Sequence, residues 1–262
     1  MYEKVKQFKG PLVFPDQQFT IIAGPCAVED EEKLVELALF LKSHGITHLR
    51  AGAYKPRTSP YTFQGLEAKG LAILQRVKAR TGIKIVTEIM DVNQIQTYVD
   101  NIDIIQVGAR NMQNFALLKE LGKIQKPILL KRGFGSTIEE WLYACEYLMN
   151  EGNDQIILCE RGIKTFEPMT RNTLDISSVP IVKGITNLNV FVDPSHSSGR
   201  SDIVRPLARA AVAVGADGLM IEVHHNPALS LSDKDETIDF NEFVTLLKEV
   251  RTLATVMGKQ IK

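Results

Sequence analysis

No run of about 18 apolar residues occurs in the 262-residue chain, so no membrane-spanning helix is expected. The first stretch, MYEKVKQFKGPLVF, has charge but no continuous apolar segment, which argues against a signal peptide. Cysteine is scarce: Cys26, Cys145 and Cys159 make an odd number with no paired spacing. That excludes a disulfide framework and points to a reduced, cytoplasmic protein. Excess charge of either sign is also missing, with 31 basic and 31 acidic side chains. Nothing in that balance suggests nucleic acid or an anionic membrane as a partner. Finally, no GxGxxG follows the first strand candidate, which argues against an open dinucleotide-binding sheet.

What the chain does have is alternation. Short runs rich in Ile, Val and Leu recur: FTIIAG (19–24), THLRAG (47–52), KIVTEI (84–89), IDIIQVG (102–108), PILLKRG (127–133), QIILCERG (155–162), NVFVDPSH (189–196) and DGLMIEVHH (217–225). Such runs suit strands buried on both faces. Amphipathic patterns lie between most of them, at about 29–45, 65–82, 111–123, 136–152, 200–216 and 239–258. After strand six only RNTLDISS (171–178) suggests a helix. Eight strands alternating with helices, at a spacing of about 28 residues, predict a single (β/α)8 TIM barrel over 19–262. Residues 1–18 are too few for a domain and are expected to form a β-hairpin covering the bottom of the barrel.

Active sites of such barrels sit at the C-terminal ends of the strands. Every strand candidate here ends in a ligand-capable or charged residue. Strand one ends at Cys26, and strand two delivers Arg50, Lys55 and Arg57. Strands three to six end in Glu88 and Asp91, Gln106 and Arg110, Lys131 and Arg132, and Glu160 and Arg161. Strand seven ends in Asp193, Ser195 and His196, and strand eight in Glu222, His224 and His225.

Closing the ring makes strands one, seven and eight neighbours. That gathers Cys26, His196 and Glu222, and the loop after strand eight adds Asp233. A sulfur, a nitrogen and two carboxylates suit a divalent first-row metal ion better than Mg2+ or Ca2+. The same four residues also read as a packed thiol beside unrelated surface ions, and spacing alone does not choose. On the other side stand the cations Arg50, Lys55, Arg57, Arg110, Lys131, Arg132 and Arg161. Ordinary pairing with Glu88, Asp91 and Glu160 accounts for one or two of them. The rest imply phosphorylated, acidic small molecules. Gly108 and Ala109 are small enough to let backbone N–H groups approach an anion.

AGPCAVE, LRAGAYKPRTSPYTFQGLE, TEIMD, QVGARNMQN, ILLKRG, CERG, VDPSHSSGR and IEVHHNP, in this order over about 20–245, closely resemble the 3-deoxy-D-arabino-heptulosonate 7-phosphate (DAHP) synthases. The likeness is to their short microbial branch, related to the 3-deoxy-D-manno-octulosonate 8-phosphate synthases. It implies a (β/α)8 barrel that condenses phosphoenolpyruvate with erythrose 4-phosphate and water, giving DAHP and phosphate, the first step of the shikimate route to aromatic amino acids. It implies one divalent metal ion, Mn2+ before Fe2+, Co2+ or Zn2+, on Cys26, His196, Glu222 and Asp233. Phosphoenolpyruvate contacts carry over to Arg50, Lys55, Ala109, Arg110, Lys131, Arg161 and Glu88, with Gly108 and Asp193 among the substrate-binding residues. The Lys55, Pro56, Arg57, Thr58, Ser59 segment resembles the one that holds erythrose 4-phosphate.

Lys55 and Glu88 are the candidate proton-transfer groups, with His196 at the metal. The resemblance also implies a homodimer or homotetramer. Some relatives carry an added regulatory domain. With about 18 residues before the barrel, little feedback inhibition by phenylalanine or tyrosine is expected. The octulosonate enzymes typically read K-A-N-R-T-S where this chain reads KPRTS, so the guanidinium sits one residue earlier and favours the shorter aldose phosphate over arabinose 5-phosphate. DPSH replaces the D-C-S-H of other branches and keeps the histidine. A Schiff-base aldolase using Lys131 and a non-catalytic phosphosugar-binding barrel are the remaining alternatives.

Overall fold

Eight short parallel strands pair side by side and close on themselves. They are β1 (Thr20–Gly24), β2 (His48–Arg50), β3 (Lys84–Ile89), β4 (Ile104–Val107), β5 (Ile128–Lys131), β6 (Ile156–Glu160), β7 (Asn189–Val192) and β8 (Gly218–Glu222). This computed structural model describes residues 1–57 and 59–261. Closure comes from β1 pairing with β8, Ile22 opposite Met220 and Gly24 opposite Glu222. The architecture is the (β/α)8 barrel that the alternation predicts. Among the described residues no helix is long and apolar enough to cross a membrane.

The helices are α1 (Glu3–Lys6), α2 (Glu31–Ser43), α3 (Glu67–Thr81), α4 (Ile95–Asn101), α5 (Phe115–Gly122), α6 (Ile138–Glu151), α7 (Ser178–Ile185), α8 (Pro194–Ser198), α9 (Val204–Ala213) and α10 (Phe240–Val256). Several starts are fixed locally. Thr137 and Glu140 form a reciprocal capping box at α6, and Asp239 and Glu242 do so at α10. The apolar stripes of these helices pack on the outside of the barrel against residues such as Ile21, Leu49, Ile85 and Leu219.

A separate apolar cluster fills the inside: Ile22, Val86, Ile104, Leu129, Ile157, Cys159, Phe191 and Met220, with Phe14. This inner layer positions the site. Side chains two apart on a strand share a face. One step beyond the layer therefore brings Glu88 after Val86, Gln106 after Ile104, Lys131 after Leu129, Arg161 after Cys159, Asp193 after Phe191 and Glu222 after Met220.

Three local expectations are corrected. Residues 1–18 form no hairpin. Pro11 and Pro15 remove ladder donors. The segment instead runs as the α1 turn followed by an irregular stretch, in which the Phe14 backbone exchanges hydrogen bonds with the Asn189 side chain (3.0 and 2.9 Å). It still covers the bottom of the barrel. The Phe14 ring lies edge-on to His48 and 5.4 Å from Phe191, closing the inner layer from below.

Second, the helix after β6 is α7, which begins where 171–178 ends. Pro180 is tolerated there because it lies in the first turn, whose N–H groups lack intrahelical acceptors. Third, β7 stops at Val192, and residues to 196 do not extend it. Asp193 caps α8, accepting the His196 N–H at 2.9 Å, with Pro194 at the first helical position. A helix between β3 and β4, unmarked in the hydrophobic pattern, is also present: Asp91 caps the 3-10 turn (Val92–Gln94) that leads into α4, so its carboxylate serves that turn.

Replacing Phe14 with Ala removes a ring that is 5% exposed. The expected loss is about 3–5 kcal/mol in equilibrium urea unfolding. A loss under about 1 kcal/mol would show that the plug does not support the inner layer.

Candidate active site

The C-terminal mouth holds one group of metal-capable side chains among the described residues. One ligand atom from each of Cys26, His196, Glu222 and Asp233 lies within 4.8 Å of the others. Cys26 follows β1 through Gly24, whose φ of 150° suits glycine and where a Cβ would sit 2.1 Å from the Arg50 carbonyl oxygen. Glu222 closes β8. His196 is carried on α8. Asp233 stands at φ 51°, a left-handed conformation that Asp adopts more readily than most residues and that recurs at functional sites.

Short contacts hold the cluster together. The Cys26 Sγ lies 2.8 Å from Asp233 Oδ2 and 2.8 Å from Ser232 Oγ. His196 Nε2 lies 3.1 Å from Glu222 Oε1, while Nδ1 lies 2.6 Å from Asp193 Oδ2. Burial works against the imidazolium, but the Asp193 and Glu222 carboxylates outweigh it despite Lys131, and its pKa is raised to about 10. Glu222 is itself buried, yet His196 and Arg50 hold its pKa down to about 2. Asp233 is likewise kept ionised against burial by His196, Lys55, the Cys26 hydrogen bond and Arg171.

The residues fit a divalent first-row ion. The set is mixed sulfur, nitrogen and oxygen, it is almost solvent-free, and up to three negative charges converge when the thiol is deprotonated. Asp193 gives His196 the supporting carboxylate common for ligating histidines. Metal uptake would have to displace the His196 proton.

Around this cluster opens a pocket lined by Lys55, Pro56, Arg57, Glu88, Gln106, Gly108, Ala109, Arg110, Lys131 and Arg161, with Phe134, Arg171, His196 and Asp233. Lys55 is buried and donates to the Cys26 carbonyl at 3.0 Å. Burial opposes its charge, but Cys26, Glu88 and Glu222 outweigh burial and raise its pKa, so it remains an ammonium. Lys131 pairs with Asp193 at 2.6 Å. Glu88 accepts from Gln106 at 3.2 Å and rests against Gly108, where a Cβ would come within 1.9 Å of Glu88 Oε1. Arg161 is 3% exposed; its one hydrogen bond reaches the His196 carbonyl, and its other terminal nitrogen has no partner. Burial lowers its pKa, so its positive charge is held at an energetic cost.

Not every sequence candidate opens on this pocket. Arg50 lies beneath the cluster, bonded to Glu222 (2.6 Å) and the Pro25 carbonyl, with its Nε unpartnered. Asp193 is fully buried below His196. Ser59 is used within its own loop, accepting from the Tyr61 N–H and, through its carbonyl, from Thr62 and Gln64. Thr58 lies outside the described residues. Arg132 leaves the mouth's free cations: Glu160, Asp175 and the Ser136 carbonyl satisfy it. His224 pairs with Glu29, whose other oxygen accepts from the Leu231 N–H and thereby ties the β1 loop to the loop bearing Asp233.

Sequence reasoning missed Arg171, which reaches Asp233 and Glu236, and Phe134. Neither sits at a strand end. The only signal for Arg171 was its place in the long loop after β6.

A family model described as the DAHP synthetase I family matches residues 8–258. The chain belongs to that family. Relatives agree. A phospho-2-dehydro-3-deoxyheptonate aldolase from Thermotoga maritima is 54% identical over 243 residues, 93% of this chain and 72% of the relative. A crystal structure of the DAHP synthase from the same organism superposes with a TM-score of 0.91 at 53% identity, covering 94% of this chain and 72% of that one. A truncated form of the 3-deoxy-D-arabino-heptulosonate 7-phosphate synthase from Thermotoga maritima gives 0.87 at 49% identity, covering 94% and 90%. A 2-dehydro-3-deoxyphosphooctonate aldolase of Geobacter sulfurreducens stands further off, at 30% over 92% of this chain and 94% of its own length. The chain is a DAHP synthase, and the octulosonate enzymes are its distant relatives.

The ion pairs around His196 set a pH dependence. The folded pKa of about 10 exceeds the value of ~6.5 in an unfolded chain. The stability they contribute is therefore full below about pH 6.5 and is lost as pH rises toward 10. Urea midpoints of metal-stripped protein should fall across that window, and His196→Gln should flatten the slope. An unchanged slope in that variant would overturn the pairing with Asp193 and Glu222.

Proposed function

We propose that this DAHP synthase joins phosphoenolpyruvate to erythrose 4-phosphate beside a divalent first-row metal ion held by Cys26, His196, Glu222 and Asp233. One observation carries the reading: a buried thiol–imidazole–dicarboxylate cluster shares a mouth with guanidinium groups that have no anionic partner among the described residues, Arg161 foremost. Arg110, Lys131 and Arg161 hold the phosphate and carboxylate of phosphoenolpyruvate, with Gly108 and Ala109 offering backbone approach and Arg50 fixing Glu222 below. Arg57, with Thr58, takes the phosphate of erythrose 4-phosphate, and Pro56 shapes the wall. Holding both reactants in register supplies much of the acceleration, because the enol carbon is a modest nucleophile.

A bound ion would polarise the aldehyde carbonyl as a Lewis acid. The buried ammonium of Lys55 gives a proton to the aldehyde oxygen as C3 of phosphoenolpyruvate bonds to C1 of the aldose phosphate. Glu88, steadied by Gln106, orients and deprotonates the water that adds at C2. The C2–O bond to the phosphoryl group then breaks, the C2 hydroxyl passes its proton to the departing phosphate as the ketone forms, and inorganic phosphate leaves, its charge held by the same three cations. Asp193 keeps His196 and Lys131 in place. Lys131 is already committed to an ion pair, which disfavours a Schiff-base aldolase. Likeness to the family supports a cytoplasmic homodimer or homotetramer.

A phosphate-release assay tests the reading directly. Erythrose 4-phosphate is expected to turn over with kcat/KM at least about 100-fold above arabinose 5-phosphate, a gap of ~2.7 kcal/mol. EDTA should abolish activity and Mn2+ restore it. Chelator-resistant turnover, or borohydride trapping of substrate on the enzyme, would replace this mechanism with another. Lys55→Ala should lower kcat by about 10²–10⁴-fold with little change in KM. Near-normal kcat in that variant would remove Lys55 as the proton donor.

A further inference from the structure

Phe134 lies in the turn after β5, and its half-buried ring faces the pocket. Three cations converge on it. The guanidinium carbon of Arg161 is 4.5 Å from the ring centroid, that of Arg110 is 5.2 Å away, and the Lys164 ammonium is 5.9 Å away. The backbone carbonyl of Phe134 also accepts the Lys164 N–H at 2.8 Å, so platform and cations are tied through the main chain as well.

The mouth's ion pairs run to Arg50, Arg57, Lys131, Arg132 and Arg171. None among the described residues reaches Arg110 or Arg161. Two guanidinium groups beside one another repel, and one of these is almost fully out of water. A carboxylate placed between them would relieve the repulsion, but it would also compete with any incoming phosphate. The negative face of an aromatic ring attracts cations without neutralising them. It leaves both forks charged and, apart from the Arg161 bond to the His196 carbonyl, their N–H groups uncommitted.

We propose that Phe134 is a positioning residue, an aromatic platform that presents Arg110 and Arg161 to the phosphate of phosphoenolpyruvate while leaving their charge uncancelled. This rests on the reading of those two arginines given above. Its role is electrostatic, and a side chain of similar bulk without a π-face does not replace it. A preorganised cation pair spares the ligand the cost of ordering it, so the effect falls on substrate affinity.

The experiment uses the full-length, metal-loaded protein in steady-state kinetics, with calorimetric titration of phosphoenolpyruvate alone as a readout independent of turnover. Phe134→Leu should raise KM and Kd for phosphoenolpyruvate by about 5- to 30-fold, equivalent to ~1–2 kcal/mol. The KM for erythrose 4-phosphate and kcat should stay within about threefold. Phe134→Tyr, which keeps the π-face, should restore the affinity. Thermal unfolding checks the fold, and if the Leu variant melts early, Phe134→Met carries the same comparison. Normal affinity in the Leu variant, or an equal defect in Leu and Tyr variants, overturns the platform. Arg161→Ala separates the two levels. If it leaves the affinity for phosphoenolpyruvate unchanged, the phosphate assignment itself fails. If it weakens binding while Phe134→Leu does not, only the platform fails.

Discussion

The barrel mouth is organised around one carboxylate with no access to water. Asp193 receives the Lys131 ammonium, faces Nδ1 of His196 and accepts the His196 backbone N–H. A lone buried carboxylate would be protonated or expelled. This one stays ionised well below the ordinary aspartate range: burial pushes its pKa up, and His196 and Lys131 overcome it. Because it holds a residue from β5 and one from α8, it joins the anion-facing half of the mouth to the ligand cluster. A change at this carboxylate therefore reaches both halves at once, and removing either partner leaves a charge stranded in the interior.

The second organising constraint is the strand period. An inner apolar layer and a charged layer alternate along the same faces, so each residue above Val86, Leu129, Phe191 or Met220 reaches the mouth without any loop having to carry it. Residues on strands are held by ladders on both sides, which suits groups that must stay put during chemistry. Two groups carried off the strands, His196 and Asp233, are secured in other ways: His196 by a proline-started helical turn, and Asp233 by Arg57, Arg171 and the Cys26 thiol.

That period explains what was legible in the sequence. Parallel strands buried on both faces announce themselves as Ile, Val and Leu runs, and their terminal charges mark the mouth. The eight-fold alternation and the adjacency of strands one, seven and eight then bring Cys26, His196 and Glu222 to one side. Loops carry no such period. Arg171 and Phe134 reach the pocket from turns whose course depends on packing. The helix Ser178–Ile185 hid behind Pro180, which reads as a breaker but is harmless in a first turn. The segment before the barrel carries no such period either, and its partner, Asn189, lies 175 residues away from Phe14. Arg132 looked like its neighbour Lys131 because adjacent strand residues point to opposite faces, a difference that charge alone does not reveal.

The closing pair of strands also carries a temporal consequence. Cys26 and Asp233 stand 207 residues apart along the chain. At ~5–20 residues per second of synthesis, a thiol emerging first waits about 10–40 seconds for its carboxylate companions to be made. Long-separation contacts of this kind form late in folding. The four-residue cluster is thus completed only by a finished ring, and a nascent fragment ending before β8 has neither the imidazole's carboxylate neighbour at 222 nor a closed seam to hold it.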